Sequence, residues 1–209
     1  MTVRNFLMAR FYDLTMKTIE GKCLSAWREQ LLSETQGDLL EIGSGTRVNL
    51  SYYPKSDHRL VMTEPDPHML SILRKNIKQR HDLSISVKGF SAEHLDFPDN
   101  SFDSAVSTLV LCSVDSPEAS LMEIRRVLKP GGKFFFIEHG LAKGFPHLMK
   151  RQKRFEPLWM CMCGNCHLTR DVEGEITHAG FSFEKVEKTN MSGGPSFVRP
   201  TLNGVAVKV

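Results

Sequence analysis

Residues 38–54 read DLLEIGSGTRVNLSYYP: an apolar run, a glycine-serine-glycine turn, and arginine at the position where a third glycine is expected. A strand that ends on Gly43 and Gly45 can turn its backbone tightly and approach a ligand closely. A helix started from that turn aims free N–H groups at an anionic group. A Gly-x-Gly by itself is equally a plain strand-to-helix turn, so the remainder of the chain has to decide between the two.

The remainder alternates. Runs rich in Val, Ile and Phe are separated by stretches of helical periodicity, the pattern of parallel strands joined by crossover helices. Strands are expected at Asp38–Ile42, Arg59–Glu64, Ser84–Lys88, Phe102–Thr108, Lys133–Glu138, Phe181–Lys188 and Gly204–Val209. Helices are expected at Val48–Tyr53, Pro67–Arg80, Pro117–Leu128, Pro146–Arg154 and Arg170–Ala179, with helical cover at Phe6–Ser33. Pro67, Pro117 and Pro146 suit first helical turns, where a missing N–H costs nothing.

With 209 residues and 41% hydrophobic content the chain supports one α/β core, and two full domains would be cramped. Residues 1–37 then form a helical cap, 38–140 the core, 141–180 a lid and 181–209 the final strands. Five cysteines, an odd number without a recognisable secretory leader, read as reduced thiols and a cytoplasmic location. No apolar run approaches the roughly 20 residues needed to span a bilayer, which leaves at most a peripheral membrane contact. The net charge of +3 is too weak to argue for nucleic acid.

In a sheet of this kind ligands bind at the carboxyl ends of the strands. Glu64 ends the second strand about 20 residues beyond Gly43, where a carboxylate can accept hydrogen bonds from both ribose hydroxyls. A nicotinamide reading wants glycine at position 48, where valine stands, so hydride transfer lacks its fingerprint.

The ordered segments LLEIGSGT, TEPDPHML, GFSAEHLDFPDNSFDSAVST and EIRRVLKPGGKFFFIEHG resemble the class I AdoMet-dependent methyltransferases over residues 38–140. NLSYYP, TLVLCSV, EPLW, CHLTRD and FVRP are similar to the small-molecule group that includes the methyltransferase-like 7 thiol methyltransferases, carrying the likeness to Pro200. The resemblance implies a doubly wound, Rossmann-like, seven-stranded, mostly parallel sheet with an antiparallel last strand and helices on both faces. It implies S-adenosyl-L-methionine as methyl donor, S-adenosyl-L-homocysteine as product and a small-molecule acceptor. By the same resemblance Glu41, Gly43, Ser44 and Gly45 hold the methionine portion, Glu64 and Pro65 the ribose, Ser91, Ala92 and Glu93 the adenine edge, and Thr108 and Leu109 flank the sulfonium.

Arg47 departs from the family's third glycine. Its side chain either faces solvent from within the following helix, pairs with the methionine carboxylate, or crowds the site. Methyl transfer from a sulfonium is an in-line displacement in which alignment and desolvation supply much of the rate, so a base is optional. His139, at the end of the fifth strand, is the candidate base, against a structural role. Tyr12 with Asp13, and Trp159, are the candidates for the acceptor path. A thiol is the expected acceptor, with an amine, quinone or phospholipid head group as alternatives, in a monomer or weak dimer.

CMCGNCH contains the C-x-x-C-H haem pattern, and Cys161, Cys163, Cys166 and His167 with His147 or His178 would suit zinc. That alternative is a non-catalytic AdoMet-fold protein with a metal site, and buried thiols in plain packing compete with it. Finally, Phe145, Leu148, Met149 and Phe155 fall near one face of a helix whose other faces carry Lys150, Arg151, Lys153 and Arg154. Such a helix is either a lid with a solvated basic face or a membrane-surface element.

Overall fold

The structure is a computed structural model and describes residues 20–54, 59–77 and 84–209. A π-helical turn at Glu20–Leu24 leads into α1 (Ser25–Leu32) and then β1 (Leu39–Ile42). Next come β2 (Arg59–Thr63), α2 (Pro67–Asn76), β3 (Ser84–Lys88), β4 (Phe102–Thr108), α3 (Pro117–Val127) and β5 (Leu128–His139). The chain closes with α4 (Pro146–Met162), α5 (Val172–His178), β6 (Phe181–Asn190) and β7 (Pro200–Lys208). The strands form one sheet in the order β3-β2-β1-β4-β5-β7-β6. β7 runs antiparallel to both of its neighbours, and every other pairing is parallel.

The inner strands β1, β2, β4, β5 and β7 are buried on both faces, which is why they read as near-continuous apolar runs, whereas the edge strands β3 and β6 are partly exposed. Phe134 and Phe136 pack with α3 and α5 on one face, while Phe135 and Ile137 pack with α1 and α2 on the other, as the two-residue period of a strand requires. Those three phenylalanines are fully buried, and each contributes about 1.5–3 kcal/mol.

The helices start where local chemistry starts them. Asp66 accepts from the N–H groups of His68 and Met69 ahead of α2, Ser116 from Ala119 ahead of α3, and Asp171 from Gly174 ahead of α5. Pro67, Pro117 and Pro146 each sit in a first turn, as expected.

Several boundaries move. Val48–Tyr53 is only a 3-10 turn at Val48–Ser51. α4 runs through Pro157 to Met162, eight residues past the expected Arg154, because Pro157 lies on the exposed face, where water can satisfy the carbonyl left without a partner. β5 begins at Leu128 rather than Lys133: the register against β4 shifts between Phe102 and Ser104, so the extra residues of LKPGG bulge, and Gly131 at φ +74° supplies the turn. β7 begins at Pro200 rather than Gly204 and pairs with the whole end of β5, from Lys133 to His139. Of the expected cap, Glu20–Leu32 is helical, and Phe6 through residue 19 lie outside the described residues.

Candidate active site

The turns after β1, β2 and β4 meet at the carboxyl edge of the sheet. Gly43 and Gly45 have φ of +56° and +55°, and a Cβ on Gly43 would come within 2.6 Å of Val110. A Cβ on Gly45 would meet nothing within 4 Å, because that glycine faces an open cleft. The Gly45 N–H donates to Glu64 Oε2 at 2.9 Å and the Asp66 N–H to Glu64 Oε1 at 2.9 Å, so one carboxylate ties the first two turns together. Burial pushes the Glu64 carboxyl above its ordinary range.

The cleft encloses about 490 Å³, bounded by Gly43, Gly45, Glu64, Pro65, Ser91, Ala92, Glu93 and Leu109, all expected from the sequence. Glu93 accepts from the Asp115 N–H at 2.9 Å, fixing the far wall. Leu109, a non-glycine residue at φ +58°, holds a strained turn directly on the cleft, a place where such strain is commonly stored for function.

Glu41, Ser44 and Thr108, also expected to bind the donor, are not on that wall. Glu41 is buried behind it, accepting from Tyr53 Oη at 2.8 Å and Asn49 Nδ2 at 3.0 Å. Burial pushes its carboxyl up to about 7, against the hydrogen bonds of Tyr53 and Asn49 and the charge of Arg28. Asn49 Nδ2 also donates to Thr108 Oγ1 at 3.0 Å, as does Arg28 Nη1 at 2.8 Å, and Arg28 pairs with Glu20 at 2.9 Å. Ser44 is buried and its N–H donates to the Thr63 carbonyl at 2.9 Å. These residues brace the turns from behind. The sequence signalled Asn49 and Tyr53 only through the NLSYYP segment, and nothing local pointed to Arg28.

Arg47 sits at φ +100°, just ahead of the 3-10 turn and not inside a helix. The left-handed conformation explains the expected glycine. Its guanidinium reaches the Asn76 carbonyl at the end of α2, at 3.2 Å, so it neither points freely into solvent nor stands on the cleft wall.

Past β5 a second region forms. The Glu138 carboxylate is fully buried, accepting from Ser107 Oγ at 2.5 Å and from the backbone N–H of Val110 at 3.1 Å. Burial nonetheless holds it up at about 7. His139 is buried and desolvation pushes its imidazole down to about 4, opposed by a backbone hydrogen bond with Val198. Its Nδ1 has no partner among the described residues. α4 covers this region, anchored where Gln152 bonds the Ala142 N–H at 2.9 Å and the Gly140 carbonyl at 3.0 Å. Phe155 stacks on Phe197 at 4.7 Å, with Trp159 edge-on to the same ring. Trp159 is therefore under the lid, not on the 490 Å³ cleft, and Tyr12 and Asp13 lie outside the described residues.

The CMCGNCH segment does what the sequence did not signal. Gly164 and Asn165, at φ +61° and +68°, bend the chain after α4 so that both join the cleft wall. Asn165 Nδ2 donates to the Ser113 carbonyl at 3.1 Å and the His167 N–H to the Cys112 carbonyl at 2.7 Å. Its side chains diverge: Cys161 is exposed, Cys166 is buried by Cys112, and His167 Nδ1 meets Glu156 Oε1 at 3.2 Å. Among the described residues no cluster of three or more His, Cys, Asp or Glu is placed to hold a metal ion. The Gly-Asn pair, a left-handed turn signal, was the available clue.

A carboxylate at the end of the second strand, tied to a glycine turn after the first, beside an open cleft, defines a nucleoside-binding protein of the doubly wound class. Residues 40–136 match the methyltransferase domain family. The rat thiol S-methyltransferase TMT1B is 33% identical over 212 residues, 97% of this chain and 85% of that protein. Human thiol S-methyltransferase TMT1A is 35% identical with the same coverage. A SAM-dependent methyltransferase from Thermotoga maritima superposes with TM-score 0.67 at 22% identity, covering 97% of this chain and 98% of that one. The chain belongs to the class I S-adenosyl-L-methionine-dependent methyltransferases, and S-adenosyl-L-methionine is its methyl donor. The cleft suits that donor: a carboxylate for ribose, a glycine without a Cβ where the ligand approaches, and apolar walls at Leu109 and Val110.

Proposed function

We propose that this enzyme methylates the sulfur of a small-molecule thiol. The observation that carries the reading is the 33–35% identity to thiol S-methyltransferases across 97% of the chain. The chemistry of the second region agrees with it. A thiolate is a strong nucleophile, so such an acceptor asks for desolvation and alignment under an aromatic lid more than for a powerful base.

The donor supplies an activated methyl group on a sulfonium. This chain's residues then do the binding: Glu64 takes the ribose hydroxyls, Ser91, Ala92 and Glu93 the adenine edge, and the Gly43–Gly45 turn the methionine portion. Leu109 and Val110 keep water from the transferred methyl. His139, expected as the base, is held neutral and weakly basic by burial. Moving a thiol proton to it would run uphill by four to five pKa units, ~6 kcal/mol. We assign it instead to lining the acceptor space, its open Nδ1 accepting a hydrogen bond, with Trp159 on the same path. The protein works as a cytoplasmic monomer or weak dimer, with any membrane contact peripheral and through the basic face of α4.

A panel of thiols, amines, a demethylated quinone and phosphatidylethanolamine, scored by labelled methyl transfer, tests the reading. Thiols are expected to turn over fastest by at least tenfold. Faster transfer to any other class overturns the assignment.

A further inference from the structure

Among the described residues, three buried polar side-chain atoms under the lid lack a partner that satisfies them: His139 Nδ1, Glu156 Oε2 and Trp159 Nε1. Glu156 and Trp159 are three residues apart on α4, so they share a helix face. Trp159 Nε1 has at best the Cys166 sulfur beside it. Native proteins leave few buried polar atoms unbonded, and those few fall where a ligand or a catalytic role accounts for them.

One imidazole connects this region to the methyl donor's cleft. His167 follows Gly164 and Asn165, which are on the cleft wall, and its backbone is bonded to Cys112, whose neighbour Ser113 is on the same wall. Its Nδ1 is held by Glu156 Oε1 at 3.2 Å, with the two side chains 25% and 15% exposed. Nε2 has no protein partner among the described residues, and it is not sealed in the core. A carboxylate on one ring nitrogen with the other left open is the arrangement of a histidine oriented for proton transfer.

We propose that the Glu156–His167 pair takes the proton from the thiol acceptor. The S–H bond breaks and its proton passes to His167 Nε2. The freed sulfur lone pair forms the new S–CH3 bond as the donor's C–S bond breaks, the bonding pair remaining on the sulfur of S-adenosyl-L-homocysteine. Glu156 accepts from Nδ1–H throughout, fixing the tautomer that leaves Nε2 open. The assignment rests on the thiol reading above.

The test compares 2-mercaptoethanol, protonated at pH 7, with 4-nitrothiophenol, already ionised there. His167→Gln should lower kcat/KM for 2-mercaptoethanol by about a hundredfold and for 4-nitrothiophenol by less than about threefold. Glu156→Gln should show the same contrast at roughly tenfold. A second measurement needs no turnover: with S-adenosyl-L-homocysteine bound, wild-type protein should raise the thiolate absorbance of thiophenol at a pH where the free thiol is mostly protonated, and His167→Gln should not. Equal losses for both thiols, no loss, or unchanged thiolate absorbance in the variant overturns the assignment. If the wild type binds the donor but methylates neither thiol while accepting another class in the panel, the thiol reading itself has failed, and the base assignment goes with it.

Discussion

The two halves of this site are built in opposite ways. On the donor side, short turns carry their own instructions: glycines at positive φ, an acid at a strand end, and a carboxylate that bonds the N–H of a neighbouring turn. On the side proposed for the acceptor, only the α4 pair Glu156 and Trp159 is local. His139 from β5, Glu156 and Trp159 from α4, His167 beyond it, and Phe197 and Val198 before β7 are brought together only by the fold. A donor common to many enzymes can be held by backbone geometry, whereas an acceptor pocket is assembled from side chains on segments free to vary.

The contrast is incomplete on the donor side, where the front of the cleft is local but its bracing is not. Arg28 reaches from α1 to Glu20, Asn49 and Thr108, with Glu41 close behind. Arg28→Met should therefore destabilise the protein by about 3–5 kcal/mol in urea unfolding, because the buried Glu41 and the half-buried Glu20 lose their cation. A loss below about 1 kcal/mol would show that the bracing is dispensable and the turns self-sufficient.

Glu64→Ala tests the front. It removes the tie between the first two turns and the ribose acceptor together, and should weaken S-adenosyl-L-homocysteine binding by about 1.5–3 kcal/mol in calorimetry. Unchanged affinity would take Glu64 out of the donor site.

Each half buries one carboxyl near neutrality, Glu41 behind the open cleft and Glu138 in the region past β5, both held at about 7 from 4.5 by desolvation. A carboxyl raised in the folded state stabilises fully below its unfolded pKa and loses that contribution as pH rises through the folded value. His139, lowered to about 4 from 6.5, works in the opposite sense, its contribution being lost as pH falls through that window. Two carboxyls against one imidazole leave a net fall in stability between about pH 4.5 and 7, on the order of 1–3 kcal/mol. A urea midpoint that rises over that range would mean that neither carboxyl is protonated in the native protein and that His139 alone sets the slope.

The smallest effect belongs to Arg47. Replacing it with glycine relieves a left-handed conformation at φ +100° but gives up the hydrogen bond to Asn76, so Arg47→Gly should change stability by less than about 1 kcal/mol and donor affinity by less than about threefold. A tenfold loss of affinity would return the guanidinium to the donor's carboxylate.

Much of this molecule was legible in the residues. β3 and β4 fall at their expected limits, and the strand ends that carry Gly43, Gly45, Glu64 and Leu109 converge as their spacing implied. Near-continuous apolar runs, prolines in first turns and glycines at tight turns are local physics, written within a few residues of where they act. The sequence alone therefore determined the sheet, its class and most of the residues that line the open cleft. What only the tertiary structure decided is which polar groups lose water: that Glu41 braces the cleft from behind instead of facing it, that Arg28 belongs to that network, that burial leaves His139 a poor base, and that His167 rests on Glu156. Desolvation depends on everything that packs around a group, and those neighbours lie from 8 residues away, as Asn49 does from Glu41, to 80, as Thr108 does from Arg28, where no local pattern records them.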